Sequence, residues 1–163
     1  MIFMPVMNRV LCEALIMDYR TGNYLDLEAI PESIQEGYVA QFDSQEIRGR
    51  STPYQGYAST GPRTVTATFM IYDDFSKKGI QEDVSFLTSL VYPEYAGQIV
   101  EPNLYLRVAN IVLRGICNNV GVDWQKPIRN GRYIIASVNM SFVSTDRESP
   151  SAGKVEGGFF YAG

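Results

Sequence analysis

The residues RTVTATFMIYDD (63–74) decide the fold. From Thr64 to Tyr72 they alternate. Val65, Ala67, Phe69 and Ile71 fall on one side and Thr64, Thr66, Thr68, Met70 and Tyr72 on the other, the pattern of a strand buried on one face. Immediately downstream, GIQEDVSFLTSLV (79–91) changes the period. Ile80, Val84, Leu87, Leu90 and Val91 now share a helical face, Glu82 and Asp83 sit where the positive end of the helix dipole favours carboxylates, and Pro93 stops the helix. A helix of about three turns cannot bury that face alone, so it must pack on the side or mouth of a sheet.

Working outward, the same two-residue period returns. Ile134, Ala136, Val138, Met140 and Phe142 form one face of a second long strand, with Ser137, Asn139 and Ser141 opposite, and PIRNGRY (127–133) supplies the turn that feeds it. Leu104 to Val108, Ile111 to Cys117 and Val120 to Trp124 read as further strands, with Ala109-Asn110 and Asn118-Asn119 as turn or bulge points. Val10 to Met17 opens the sheet, and RTGN (20–23) turns it into Tyr24 to Ala29. The expected fold is mainly β, in the α+β sense, as a β-barrel or rolled β-sandwich with one flanking helix at about residues 79–91.

Two segments follow neither period. Asp43 to Pro62 is polar and contains Arg48, Arg50 and the rings of Tyr54 and Tyr57. A loop of about twenty residues in a compact domain is usually functional or disordered, and Tyr and Arg are enriched where interfaces carry their energy. Arg147 to Gly163 is the second, with SPSAG (149–153) as linker and GGFFY (157–161) as tip. Phe159, Phe160 and Tyr161 would be a liability in water, so they dock on their own domain or on a partner. The chain thus divides into a β domain over residues 1–146, carrying the long loop 43–62, and an extended C-terminal arm over 147–163. The seven arginines, tyrosines and phenylalanines named here are the candidate subunit-interface residues.

Composition closes several routes to chemistry. The 163 residues suffice for one core without staples, and they contain no histidine, the commonest general base and metal ligand. Cys12 and Cys117 each lie in an apolar stretch and read as small buried hydrophobes. A net charge of −4, with a pI near 4.8, opposes a protein that grips phosphate backbones, but suits a channel that passes nucleic acid without holding it. No apolar run approaches the roughly 20 residues needed to span a bilayer. Met1 to Met7 lacks the basic start and small-residue cleavage site of a secretion signal and reads as a flexible or sticky lead-in to the first strand. Sparse cysteine and no export signal place synthesis in a reducing cytoplasm.

The motifs that resemble active chemistry fail on context. GYASTGPRT (56–64) has the outline of a phosphate-binding loop, but proline replaces the lysine and a strand follows where a helix must begin. Asp73-Asp74 and Glu82-Asp83 read as solvated caps at a strand end and a helix start rather than a cation site or acid–base pair. Asn139-Met140-Ser141 is a sequon inside a strand, and Trp124 lacks the companion rings of a stacking platform. No catalytic residue, cofactor or metal is expected.

In order, the short patterns AIPESI (29–34), GPRTVTATF (61–69), DVSFLTSL (83–90) and YPEY (92–95), continued by Ile111 to Trp124 and Pro127 to Phe142, resemble the tube-type adaptor and hub proteins of contractile phage tails and contractile injection systems. The resemblance covers about residues 8–146. It implies a tail-tube-like β-barrel with a flanking helix, and copies in a ring, hexameric by resemblance, between a spike or hub and the tube. The implied partners are the protein itself and other baseplate, spike and tube proteins, with DNA only as cargo in the lumen and no membrane. The implied location is the virion, after synthesis in the host cytoplasm. Many relatives add a LysM-type module, for which the residues after Asp146 are too few. The expected role is a baseplate hub adaptor or tube initiator; the alternatives are the major tail tube protein and, from another class, a small-ligand-binding β-barrel module.

Overall fold

The computed structural model describes residues 14–27, 31, 33–95, 97–145 and 150–161. The Met1–Met7 lead-in, Cys12, the first residues of the expected opening strand, Ala29-Ile30 and Arg147 to Ser149 lie outside them. The main sheet contains β1 (Ala14–Asp18), β2 (Tyr24–Leu27), β3 (Ile34–Gly37), β6 (Thr64–Tyr72), β9 (Leu104–Val108), β10 (Ile111–Arg129) and β11 (Arg132–Ser144). A separate hairpin is formed by β4 (Ala40–Gln45) and β5 (Tyr54–Thr60), and a small ladder by β7 (Glu94–Tyr95) and β8 (Ile99–Val100). Two helices, α1 (Ile80–Ser89) and the short α2 (Ala152–Glu156), complete the described elements.

The seven strands run in the order β2-β1-β9-β10-β11-β6-β3 with antiparallel pairing throughout. Every one of them sends side chains to a single core, so the sheet rolls around it and leaves β2 and β3 as its edges. The decisive alternation is realised: Val65, Ala67, Phe69 and Ile71 of β6 and Ala136, Val138, Met140 and Phe142 of β11 are all buried. Their register, with Phe69 opposite Val138 and Ala67 opposite Met140, interleaves large and small residues across the pair. The asparagine pair at 118–119 resolves as a bulge, and β10 runs through it as one strand of 19 residues. Asn130 (φ 52°) and Gly131 (φ 73°) make the tight turn into β11, with the positive φ at both positions that such a hairpin requires.

Helix α1 closes the core with Ile80, Val84, Leu87 and, just past its end, Leu90. Its start corrects the reading of Asp83 as a solvated cap, while Asp74 and Glu82 are exposed and Asp73 caps the helix as expected. Gly79 at the N-cap has no side chain, so Asp73 Oδ1 accepts the Ile80 N–H at 3.1 Å, while buried Asp83 takes a hydrogen bond from the Ser76 hydroxyl. Its C-terminal end is capped from a distance. Arg20 donates to Tyr92 O at 2.5 Å and Ser89 O at 3.4 Å while paired with Asp18 at 3.1 Å, both side chains only 5% exposed. A cation there faces the negative end of the helix dipole.

The segment 43–62 is not the irregular loop expected from its sequence. Strands β4 and β5 pair from Ala40 with Thr60 to Gln45 with Tyr54, and only the tip, 46–53, is turn. Nearly every residue of the ribbon is exposed on both faces, and a ribbon with no buried face has no reason to alternate apolar and polar residues. The C-terminal arm likewise differs from an extended segment, since it carries α2, capped by Ser151, and then turns back onto the sheet.

Candidate subunit interface

The predicted contact residues fall into two groups, one on the ribbon and one on the arm. Arg48, Arg50, Tyr54 and Tyr57 share the β4–β5 ribbon, the arginines at its tip and the tyrosines along β5. Phe42 of β4 lies opposite Tyr57, the two rings edge to face at 5.8 Å, and Tyr57 shares a 2.6 Å hydroxyl hydrogen bond with Thr60. Phe42, Tyr54 and Tyr57 are each more than half exposed, Phe42 and Tyr57 on one face of the ribbon and Tyr54 on the other. Phe42 belongs with the predicted residues, and the sequence reading passed over it because it lies one position before the polar segment.

Phe159, Phe160 and Tyr161 form the second group, and they dock on their own domain. Strand β11 ends at Ser144 opposite Gly115, which leaves residues 111–114 of β10 without a β11 neighbour. The arm fills that gap: Tyr161 bridges to Ile111, and the Val112 N–H donates to Phe160 O at 3.4 Å. Beneath it lies the buried Arg63. The guanidinium sits 4.6 Å from the Phe160 ring centre, donates to Val112 O at 2.6 Å, and pairs with Glu36 through Nε at 2.9 Å and through Nη2. Tyr161 completes the cluster by donating its hydroxyl to Glu36 Oε2 at 2.8 Å. Tyr38, just before β4, packs its ring 5.6 Å from Phe160 and donates to Glu36 at 3.2 Å, which places the slot of the arm beside the root of the ribbon.

The electrostatics follow from this geometry. Burial pushes Glu36 up, but hydrogen bonds from Arg63, Tyr161 and Tyr38 and the charge of Arg63 together hold it below the usual glutamate value. The Tyr161 phenol is pushed well up, first by its hydrogen bond to the Glu36 carboxylate and then by its contact with Tyr38. Neither Arg63 nor Glu36 stood out in the sequence as part of a site, since they are brought together only by the β3–β6 register that places Glu36 opposite Val65.

A third exposed feature is the far end of the β10–β11 hairpin, which extends beyond the end of β6. Trp124 and Tyr133 pack at 6.3 Å there, Ile128 is exposed, and Arg129 ties the tip back to Asp73 at 3.1 Å and Asp74 at 2.8 Å. Among the described residues no three His, Cys, Asp or Glu gather as a metal site, and no helix is long and apolar enough to cross a membrane. Cys117 is buried, with its thiol pushed up to about 11 by that burial, which makes it a poor nucleophile.

No protein-family model matches the chain, nor does any curated protein by sequence. Solved structures do share its fold. The Dit protein of SPP1, described as a hub adsorption apparatus of phages infecting Gram-positive hosts, aligns over 82% of this chain and 50% of its own with a TM-score of 0.51 and 12% identity. The chain therefore spans half the length of that protein, and what the two share is the fold of the aligned part. A chain of a native gene transfer agent virion aligns over 81% of this chain and 94% of its own, at 7% identity and a TM-score of 0.45. A chain of the tail of an empty gene transfer agent particle aligns over 85% and 94%, at 10% identity and a TM-score of 0.41.

Proposed function

We propose that this protein is a structural component of a phage tail, a hub adaptor or tube-initiating subunit whose copies form a ring around the tail axis. The observation that carries this reading is the β4–β5 ribbon. An uncovered two-stranded ribbon is marginal in water, and this one adds three exposed rings and two arginines, so it makes physical sense as a lever laid on a neighbour. The hub-type fold supports the same reading. So do the open edges β2 and β3, which a neighbouring copy would cover. One heterologous contact repeated around an axis closes into a ring.

One strip of the outer face of the sheet suits the wall of a conduit, with Arg107, Arg114 and Asp123 exposed on the same face outside it. Gln35, Thr66, Ser141 and Asn119 line up across β3, β6, β11 and β10, and Thr68 and Asn139, which hydrogen-bond to each other, form the next row. These side chains are polar and uncharged. Such a wall lets nucleic acid pass without collecting phosphates, which would need Lys and Arg to displace counterions. In this reading the mechanism is geometric: the ring matches a spike or hub below to the tube above, within the virion of a contractile tail, and keeps the lumen open.

Stoichiometry tests the role. Quantitative mass spectrometry of purified particles is expected to find a small fixed number of copies per tail, set by one or a few rings. A count that scales with tail length would instead make the chain the major tube protein, and a single copy would exclude a ring altogether.

A further inference from the structure

The slot that receives the C-terminal arm is the same on every copy of the chain, and most of the described arm lies exposed at the surface. Helix α2 buries no residue, and Phe159 and Tyr161 remain 40% and 43% exposed. The contacts that seat the arm are nevertheless specific: the bridge to Ile111, the Val112 hydrogen bond, the Phe160 ring on Arg63, and the Tyr161 hydroxyl on Glu36. We infer that residues 159–161 are an exchangeable arm, which closes its own slot in the free subunit and the identical slot of the next copy in the axial ring. The inference rests on the ring reading for its assembled state, but the slot and the arm are defined within one chain.

Three physical points favour a second copy as the occupant. Exchange of identical elements preserves every contact made at the slot, so it costs no interaction energy there, which is why swapping is a low-cost route between protomers. Reach suffices: Tyr161 lies 16 positions beyond Thr145, a span of about 50 Å if extended, against about 40 Å between the centres of two touching domains of this size. Opening that span requires only the unwinding of α2, five residues long and without a buried face. The recipient end also adjoins the ribbon, through the Tyr38–Phe160 contact, so an arm arriving from a neighbour would land where the ribbon leaves its own domain.

The test places a photoreactive p-benzoylphenylalanine at Phe159, which keeps a ring at that position and leaves the Phe160 and Tyr161 contacts intact. The full-length variant is mixed with affinity-tagged wild-type protein, diluted or concentrated, and irradiated, and adducts are mapped by mass spectrometry. Exchange predicts adducts within one chain at high dilution and, on concentration, adducts between untagged and tagged copies at the same residues, those around Glu36, Arg63 and Ile111 to Arg114. Adducts that stay within one chain at every concentration, or that join copies at other residues, overturn the exchange. The mass of the unirradiated sample is read in parallel. A ring without inter-chain adducts at the slot refutes the exchange alone, whereas inter-chain slot adducts in a simple dimer uphold the exchange and refute the ring.

Discussion

Tyr161 donates a hydrogen bond of 2.8 Å to Glu36, joining the end of the arm to an edge strand 125 positions earlier in the chain. The link has a defined pH window. Glu36 is held below its ordinary value of 4.5, so the stability it lends is complete above that value and is lost as pH falls through the lower, folded one. Tyr161 is raised above its ordinary value of 10.0, so its contribution is complete below 10.0 and is lost only in strong alkali. The protection of residues 150–161 against amide exchange, taken relative to the intrinsic rate at each pH, is expected to hold steady from about pH 5 to 9 and to fall in acid. In Glu36→Gln the acid step should disappear; its persistence would remove Glu36 from the account.

Arg20 and Asp18 are a buried pair that also closes the end of α1. Replacing Arg20 by methionine leaves a buried carboxylate without its cation, and breaking such a pair typically costs about 3–5 kcal/mol. Urea denaturation of Arg20→Met is expected to show a loss of that order. A cost under about 1 kcal/mol would mean that water already serves Asp18.

Gly115 marks the closest approach in the sheet. A Cβ built there would meet Val143 O at 2.0 Å and Val143 C at 2.9 Å, backbone atoms that cannot swing aside. Gly115→Ala should therefore force β10 from the end of β11 and destabilise the protein by about 1–3 kcal/mol. Since the slot for the arm begins at the next residue, faster exchange of the arm should accompany the loss.

Phe69 is fully buried midway along β6, and Phe69→Ala is expected to cost about 3–5 kcal/mol by cavity formation. The ribbon should respond in the opposite way. Phe42→Ala, Tyr54→Ala and Tyr57→Ala remove exposed rings, so each should change monomer stability by about 0.5 kcal/mol or less. The triple variant should still fail to assemble. Sedimentation beside chemical denaturation separates the two effects, and normal assembly of the triple variant would show the ribbon to be ordinary surface.

The core was legible in the sequence wherever one face of an element is buried. β6, β11 and α1 each bury one side, and burial is what imposes a period. The same logic explains what was missed. The β4–β5 ribbon buries neither side, so Asp43 to Pro62 reads as loop although its backbone is paired on either side of the turn at 46–53. Asp83 reads as a solvated cap because nothing in the local pattern announces that Ser76 will fold over it. Arg63 and Glu36 are 27 residues apart and meet only through strand register, which a one-dimensional pattern does not carry. The aromatic tip was recognised as a docking element from its composition, but its slot is made by the early end of β11, a feature of topology.

The central claim is that copies of this chain form a ring on the tail axis, with the ribbon laid on the neighbouring copy. A cryo-electron microscopy map of intact tails from particles whose copies carry a small tag at Gly49, in the ribbon's tip, tests it most directly. The account predicts a closed ring of tag densities at one end of the tube, each lying over the adjacent subunit, with the Thr66–Asn139 face toward the lumen. Tag density away from the axis, or a single unrepeated density per tail, would contradict it.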